Sequence, residues 1–274
     1  MGAPNRLLTV PAMSKKRLDC LMVERGMLES RAKAQAVIMA GRVLVGGKKI
    51  EKAGTLVEPE SNLEILGKAR PYVGRGGMKL EAALQHFHWD LRGKVALDIG
   101  SSTGGFVDCL LQFGAAHVYA VDVGTNQLDW RLRQDQRITL LERTNARYLQ
   151  MDQIGRKADF ITMDVSFISA ARILPSLVQF SEPGTRLLIL VKPQFEVGKG
   201  RVGKGGIVRD EKLQLESVNY VQSAAAQLDF TDFQRMPSPI RGATGNQEFF
   251  LASVFRGPAQ AVAGPDRTDS TAGG

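Results

Sequence analysis

The sequence predicts an α/β fold, a doubly wound sheet of the Rossmann-like type, with a small α+β domain in front of it. Short apolar runs alternate with helical stretches from residue 95 onward, as in sheets built from strand–helix–strand units. The first run, Val95–Ile99, leads into a glycine-rich turn at residues 100–105 and then a helix. The first 80 residues hold 15 Lys and Arg against 7 Asp and Glu, which accounts for the whole net charge of +8. A basic domain therefore precedes a neutral α/β body. This arrangement indicates an enzyme that carries an N-terminal domain for binding a polyanion.

Length and composition exclude several classes of protein. A chain of 274 residues with 43% hydrophobic content can form one large or two ordinary domains. No run reaches the ~18 apolar residues of a membrane span, which argues against a pore or a transporter, and the N-terminus lacks the apolar stretch of a signal peptide. Cys20 and Cys109 fall in different predicted domains, which argues against a disulfide or a metal site. We expect a cytoplasmic protein that does not act on membranes, and the oligomeric state stays open.

The first domain is predicted over residues 15–66, after a flexible arm at residues 1–14. Apolar stripes, the N-cap residue Ser30 and glycines at the helix ends define two helices, and a Gly46-Gly47 turn defines a hairpin. In chain order the predicted elements are a helix from Lys15 to Gly26, a helix from Ser30 to Gly41, a strand at 43–45, and a short strand near 55–57 or 63–66.

Three motifs in this domain resemble the small αL RNA-binding domain of a ribosomal small-subunit protein, tyrosyl-tRNA synthetase and pseudouridine synthases. They are Arg17-Leu18-Asp19, Ser30-Arg31 and Gly41-Arg42-Val43-Leu44-Val45-Gly46-Gly47. The resemblance implies that the helices and the hairpin dock on structured RNA. It also implies that cations flanking these elements contact phosphates: Arg17, Arg31, Lys33, Arg42, Lys48 and Lys49. The alternative is a small two-helix domain with a solvated basic face.

The second domain is predicted over residues 74–256, after a linker at 67–73 and before a disordered tail at 257–274. Its glycine-rich turn lets backbone N–H groups approach a ligand closely. Asp122 ends the next apolar run about 20 residues after Gly100, the spacing at which a carboxylate binds the hydroxyls of a ribose. Ser102 replaces the second glycine of the dinucleotide fingerprint, so a nucleoside without a diphosphate fits better, and S-adenosylmethionine is the leading candidate. The alternative is a glycine-rich turn without a ligand.

Further apolar runs at 138–141, 160–163, 187–191 and 249–252 predict the remaining strands, and residues 210–228 predict a helix. The polar segment 143–147 follows a strand and can contact an adenine edge.

Residues 198–206 resemble a phosphate-binding loop, but Gly205 stands where that motif needs Ser or Thr. We interpret this segment as a mobile basic loop beside the active site, with a flexible surface loop as the alternative.

Four charged residues, Lys79, Asp164, Lys192 and Glu248, are the candidate catalytic group. Asp164 and Lys192 end predicted parallel strands, whose carboxyl ends share one edge of the sheet. Glu248 begins the last strand and reaches that edge only if the strand is antiparallel. The alternative is two ion pairs on the protein surface.

This set resembles the Lys-Asp-Lys-Glu tetrad of the FtsJ-like ribose 2'-O-methyltransferases. With the N-terminal domain, the chain resembles the TlyA (haemolysin A) family of rRNA 2'-O-methyltransferases over about residues 15–255. The supporting motifs lie at residues 98–106, 143–147, 164–169 and 191–196.

The resemblance implies that residues 100–105 surround the amino-acid end of S-adenosylmethionine, Asp122 its ribose and Asn145 its adenine. The residues predicted to bind this cofactor are Asp98, Gly100, Ser101, Ser102, Thr103, Gly104, Gly105, Phe106, Asp122, Asn145 and Asp164. It further implies that Lys192 is the base or stabilises the alkoxide, that Lys79 and Glu248 orient Lys192, and that Asp164 holds the network near the sulfonium.

This chemistry suits the residue types. A lysine can act as a base only if its pKa falls from ~10.4, which burial and a second lysine promote. Because the sulfonium carries the leaving group, no metal is required.

The expected substrate is ribosomal RNA, free or in ribosomal subunits. A cytidine of the large subunit is the expected target, with the small subunit as a further possibility. Haemolysin activity is discounted because no segment has the length or apolarity of a pore. Two alternatives remain: an RNA-binding assembly factor that keeps the fold without catalysis, and a methyltransferase for small molecules.

Overall fold

The computed structural model describes residues 14–66, 72–198 and 200–258. They form two compact units, divided between residues 69 and 70. The predicted arm and tail lie outside the described residues except for residues 14, 257 and 258, and only residues 72 and 73 of the predicted linker are described. Within the described ranges, no helix is both long enough and apolar enough to cross a bilayer.

The first unit packs two helices against short strands. Its elements are β1 Lys16–Arg17, α1 Leu18–Glu24, α2 Arg31–Met39, β2 Val43–Val45, β3 Lys48–Ile50, β4 Leu56–Val57 and β5 Leu63–Ile65. The Ser30 hydroxyl accepts the Lys33 N–H and caps α2, as predicted. Gly46 and Gly47 both have positive φ, as the tight β2–β3 turn requires.

The structure differs from two predictions for this unit. The first helix begins at Leu18 instead of Lys15, because residues 16 and 17 pair with β4 as a short antiparallel strand. Both candidate strands after the hairpin exist: β4 pairs with β1, and β5 pairs with β2.

The second unit is a seven-stranded sheet in the order β11-β12-β10-β9-β6-β7-β8, which confirms the predicted fold class. Five strands are parallel, whereas β12 is antiparallel to β10 and to β11. Its elements are α3 Arg75–His86, β6 Val95–Ile99, α4 Gly105–Gln112, β7 His117–Val121, α5 Trp130–Arg133, β8 Ile138–Leu141, α6 Met151–Ile154, β9 Phe160–Met163, α7 Leu174–Leu177, β10 Arg186–Val191, α8 Pro193–Glu196, α9 Glu211–Ala226, β11 Phe230–Pro237 and β12 Phe249–Phe255.

The edge strand β11 has no counterpart in the predictions. Most of its residues are exposed or partly exposed, and its pairing with β12 shifts register between Thr231 and Gln234. A strand that is polar and irregular lacks the continuous apolar run that marks β6, β9 and β10 as central strands.

Candidate active site

A cavity of about 580 Å³ opens where the carboxyl ends of the parallel strands meet. All four candidate catalytic residues line it, together with most of the glycine-rich turn between β6 and α4. Ligands of open α/β sheets bind at this edge. The position of the cavity therefore agrees with the site that the sequence predicts.

The glycine-rich turn passes very close to the loop that follows β9. Gly100 has φ +87°, and a Cβ there would lie 2.5 Å from the carbonyl oxygen of Asp164, so a residue with a side chain would displace the backbone. The turn is further held by Asp122, whose carboxylate accepts the backbone N–H of Ser102 at 2.8 Å and that of Gly124 at 2.7 Å. The backbone shape of the turn is therefore set before any ligand binds.

Seven of the eleven residues predicted to bind the cofactor line the cavity: Gly100, Ser101, Ser102, Thr103, Gly105, Phe106 and Asp164. The hydroxyl of Ser101 is buried and has no hydrogen-bond partner among the described residues. A polar atom left in this state costs free energy, so the cavity is suited to a ligand with polar groups.

The other four predicted cofactor residues, Asp98, Gly104, Asp122 and Asn145, lie outside the lining of the cavity. Gly104 is the N-cap of α4, and the side chain of Asn145 accepts the backbone N–H of Arg147 at 3.1 Å in the segment after β8. Asp122 and Asn145 follow neighbouring strands, and their roles toward a nucleoside stay predictions.

Asp98 lies within β6, beneath the turn, and is completely buried. One carboxylate oxygen accepts the Thr162 hydroxyl at 2.5 Å, and the other has no partner. Burial raises the pKa of Asp98 to about 7, because removal from water disfavours the charged form. Asp98 therefore joins β6 to Thr162 of β9 and lies outside the cavity wall.

The four candidate catalytic residues form two ion pairs. Lys79 Nζ lies 2.5 Å from Glu248 Oε2, and Lys192 Nζ lies 2.6 Å from Asp164 Oδ1. Lys79 and Glu248 are only 8% and 3% exposed, so this pair does not belong to the solvated surface. Lys79 and Glu248 pair with each other, and Lys192 pairs with Asp164. Direct contacts that would let Lys79 and Glu248 orient Lys192 are not present among these four residues.

The antiparallel direction of β12 brings Glu248 to the site. Val191 of β10 pairs with Phe249 of β12, so Lys192 and Glu248 extend from matching ends of adjacent strands. The predicted condition for including Glu248 is thus met. Lys79 is the fifth residue of α3.

Ser166 is a cavity residue that we did not single out from the sequence. Lys192 Nζ donates a hydrogen bond to Ser166 Oγ at 2.9 Å, so both partners of Lys192 come from the loop after β9. Glu196 of α8 holds this loop by accepting the Ser169 hydroxyl at 2.6 Å and the Ala170 N–H at 2.8 Å. Burial raises the pKa of Glu196. The sequence signal for Ser166 was its place in the motif at residues 164–169, two residues after Asp164.

Gln194 and Phe167 are two further residues of the cavity lining. Gln194 follows Lys192 by two residues, and its Oε1 is buried without a hydrogen-bond partner. Phe167 is 92% exposed, and its ring packs against that of Phe195 at a centroid distance of 5.3 Å. An exposed aromatic ring at a cavity mouth is suited to stack on a base.

The glycine-rich loop at 198–206 borders the cavity through Val202 and Gly206. Lys199 lies outside the described residues. The predicted position of this loop beside the active site is therefore confirmed for the residues that are described.

The predicted RNA-binding cations of the first unit surround a buried carboxylate. Asp19 is completely buried and accepts hydrogen bonds from Arg17 at 3.0 Å, Arg31 at 3.2 Å and Gln35 at 2.8 Å. The bond from Arg17 is the main cause of a pKa of Asp19 well below its usual range. Both guanidinium groups are half exposed, so each is held in place with donors that still face water.

The remaining predicted cations of this unit are on its surface. Lys33 pairs with Glu29, Lys49 pairs with Glu51 at 2.8 Å, and Arg42 Nε donates to the Leu66 carbonyl at 3.0 Å. Lys48 is exposed in β3. Exposed ion pairs of this type are weak, so these pairs do not prevent the lysines from binding phosphate.

Comparisons with known proteins cover both units. Residues 72–255 match the family model described as FtsJ-like methyltransferase, and residues 16–63 match the S4 domain. The relative "Putative rRNA methyltransferase YqxC" of Bacillus subtilis (strain 168) is 47% identical over 247 residues, which are 90% of this chain and 88% of that protein.

A second relative, "16S/23S rRNA (cytidine-2'-O)-methyltransferase TlyA" of Mycobacterium tuberculosis (strain CDC 1551 / Oshkosh), is 44% identical over 238 residues, 86% of this chain and 89% of that protein. The solved structure "Putative hemolysin from Streptococcus thermophilus" matches with a TM-score of 0.69 and 40% identity, and the match covers 92% of each chain.

Proposed function

The chain belongs to the family of FtsJ-like methyltransferases, and on this basis we propose that it transfers a methyl group from S-adenosylmethionine to a ribose 2'-hydroxyl of ribosomal RNA. The observation that carries the proposal is the cavity at the sheet edge. Lys79, Asp164, Lys192 and Glu248 line it together with the glycine-rich turn. This cavity combines a glycine-rich turn that suits a nucleoside with two pairs of lysine and carboxylate. It is therefore suited to a reaction that binds a cofactor and transfers a proton.

The residues present fit S-adenosylmethionine. The close approach of Gly100 leaves backbone at the cavity wall, and the unpartnered Ser101 hydroxyl is available to a polar ligand. The turn would hold the amino-acid end, and Asp122 and Asn145 would hold the ribose and the adenine. When bound, the cofactor would supply a methyl group activated by the positive sulfonium. The remainder of the cofactor would leave as a neutral thioether, which requires no metal.

The protein's own residues would orient the ribose and take part in removing the proton from its 2'-hydroxyl. A hydroxyl is a poor nucleophile until its proton begins to leave. Lys192, held by Asp164 and Ser166, would contact the 2'-oxygen, where it can accept the proton or stabilise the developing negative charge. The buried pair of Lys79 and Glu248 would fix the neighbouring wall, so that the ribose enters in one orientation.

The substrate is the finer part of the proposal. The relative from Mycobacterium tuberculosis is named for cytidine in 16S and 23S rRNA, and the Campylobacter jejuni relative for cytidine in 23S rRNA. The S4 domain precedes the methyltransferase unit in the sequence and carries exposed cations such as Arg17, Arg31 and Lys48. We therefore place the target at a cytidine of large-subunit rRNA, with the small subunit as a further substrate to be tested.

The test is transfer of labelled methyl from S-adenosylmethionine to purified ribosomal subunits and to naked rRNA. We expect label in a ribose linkage that resists alkali, and no label with Lys192→Ala. The subunit that accepts label identifies the substrate. If the wild-type chain binds S-adenosylmethionine in calorimetry but labels no rRNA, the proposal is wrong, and a non-catalytic RNA-binding role takes its place.

A further inference from the structure

Two loops of the methyltransferase unit form a wall between two cavities. They span residues 200–208 and 241–248. On one side, Gly206 and Thr244 line the active-site cavity. On the other side, the next residues of the same loops, Ile207 and Gly245, line a second cavity of about 430 Å³. The two cavities are therefore neighbours, since consecutive residues of both loops line one cavity and then the other.

Asn246 joins the two loops. It is completely buried. Its Oδ1 accepts the Val208 N–H at 2.9 Å, and its Nδ2 donates to the Gly206 carbonyl at 2.8 Å and to the Thr244 hydroxyl at 3.0 Å. A buried amide whose hydrogen bonds are satisfied on both loops fixes their spacing. The shape of the second cavity is thus held by hydrogen bonds within the wall.

Two arginines line the second cavity without a carboxylate partner. Arg209 and Arg241 form no ion pair with any residue in the described ranges, although Arg241 Nη1 donates to the Gly245 carbonyl at 3.2 Å. Two arginines elsewhere on this unit are paired instead, Arg92 with Asp90 and Arg137 with Asp135. Glu211 is the acidic residue in the lining, so the arginines outnumber the acids in this cavity.

We infer that the second cavity binds a phosphodiester of the RNA strand, next to the nucleotide whose ribose enters the active site. This inference rests on the proposed function and adds a site to it. Guanidinium groups form paired hydrogen bonds with phosphate oxygens, and Arg209 and Arg241 both retain donors that face water. Because one wall separates the two cavities, a strand with one ribose at Lys192 passes its flanking backbone over the arginines.

The test compares two double variants of the full chain that change the net charge equally. Arg209→Ala with Arg241→Ala removes the proposed contacts. Arg92→Ala with Arg137→Ala removes two paired arginines that precede β6 and β8, at the opposite edge of the sheet. Binding of in vitro transcripts of large-subunit rRNA is measured over a range of KCl concentrations, with calorimetry of S-adenosylmethionine as a check on the fold.

For Arg209→Ala with Arg241→Ala we expect weaker RNA binding and a salt dependence, log K against log [KCl], that is shallower by about 2, one for each lost phosphate contact. Cofactor binding and the rate at saturating RNA stay unchanged. The control keeps the wild-type slope. If both double variants behave alike, the inference is wrong.

A loss of activity confined to assembled subunits, with wild-type binding of free RNA, would also overturn it and indicate a ribosomal protein as the partner. Absence of methyl transfer by the wild-type chain would contradict the proposed function, while the binding comparison would still decide this inference.

Discussion

Each of the two units buries an aspartate completely, and the two aspartates have opposite surroundings. Asp19 in the first unit accepts hydrogen bonds from two arginines, which hold its pKa low. Asp98 in the second unit has one hydroxyl partner and one oxygen without a partner, and burial raises its pKa to about 7. The first arrangement fixes cations at a surface that faces water. The second keeps a polar group beneath a turn where a ligand is expected.

The cations differ in the same way. In the first unit the guanidinium groups around Asp19 are about half exposed, whereas Lys79 and Lys192 in the second unit are each about 11% exposed in their side chains. Exposed cations attract a polyanion over a distance, and enclosed cations act on one atom. The comparison predicts that variants of the exposed cations in the first unit change RNA affinity, whereas variants of the enclosed Lys79 and Lys192 change rate.

The largest expected effect is that of Lys192→Ala. We expect methyl transfer at saturating RNA to fall by at least ~10³-fold, because the group that manages the proton is lost, with little change in RNA affinity. Lys192→Arg keeps the charge but cannot accept a proton. Partial activity of the arginine variant would identify charge stabilisation as the role of Lys192, and complete loss with intact folding would favour its role as a base. Near-normal rates with Lys192→Ala would contradict the prediction that the enclosed lysines determine the rate.

The next effect concerns stability against pH. Asp98 keeps its proton in the folded state up to about pH 7 but loses it near pH 4 when unfolded, so it contributes stability at low pH that declines as pH rises through this window. The slope is about 1.4 kcal/mol per pH unit. In urea unfolding between pH 5 and 7, stability should decline with pH more steeply in the wild type than in Asp98→Asn, by about this slope.

Asp19 should act in the opposite direction, since its lowered pKa contributes stability above about pH 4 that is lost on further acidification. Unfolding of Asp19→Asn below pH 5 provides the matching measurement. Parallel pH profiles for the two asparagine variants would contradict the contrast between the two carboxylates.

A smaller effect is expected for Lys48→Ala combined with Lys49→Ala, two exposed cations that leave the pairing of Asp19 intact. The KM for rRNA should rise about 10-fold and the salt dependence of binding should become shallower by about 2, while the rate at saturating RNA is kept. A flat salt dependence in the wild type would count against phosphate binding by the first unit.

The smallest effect is that of Ser166→Ala. Loss of one hydrogen bond to Lys192 is worth about 1 kcal/mol, or several-fold in rate. The pH profile of the rate should move as well, because a positioning role acts through Lys192. Ser166→Thr keeps the hydroxyl and should restore the wild-type profile. A lower rate in both variants with unchanged pH profiles would instead indicate a packing role.

The central strands could be predicted because their two faces are buried, which leaves continuous apolar runs such as Val95–Ile99. The edge strand Phe230–Pro237 could not, since solvent on one side permits polar residues. The pairing of the four catalytic candidates was also out of reach. Lys79 and Glu248 are 169 residues apart in the chain, and only the direction of β12 decides that they meet.

Asn246 shows a second limit. A single buried asparagine in a glycine-containing loop has no periodic pattern around it, and its importance arises from contacts with a loop some 40 residues earlier. The glycine-rich loop itself was visible in the sequence, but its connection to the segment before β12 was not. Side chains that join two irregular segments are the part of a site that local patterns leave undetermined.

The ion pair of Lys79 with Glu248 also has a consequence for the order in which the protein is made. Synthesis delivers Lys79 early in the methyltransferase unit and Glu248 near the end of that unit. A chain that stops short of residue 248 would bury an ammonium group without its counter-charge, which costs several kcal/mol. The reaction centre can therefore close only after the ribosome has added almost all of the unit, and a nascent chain cannot methylate RNA while β12 is still missing.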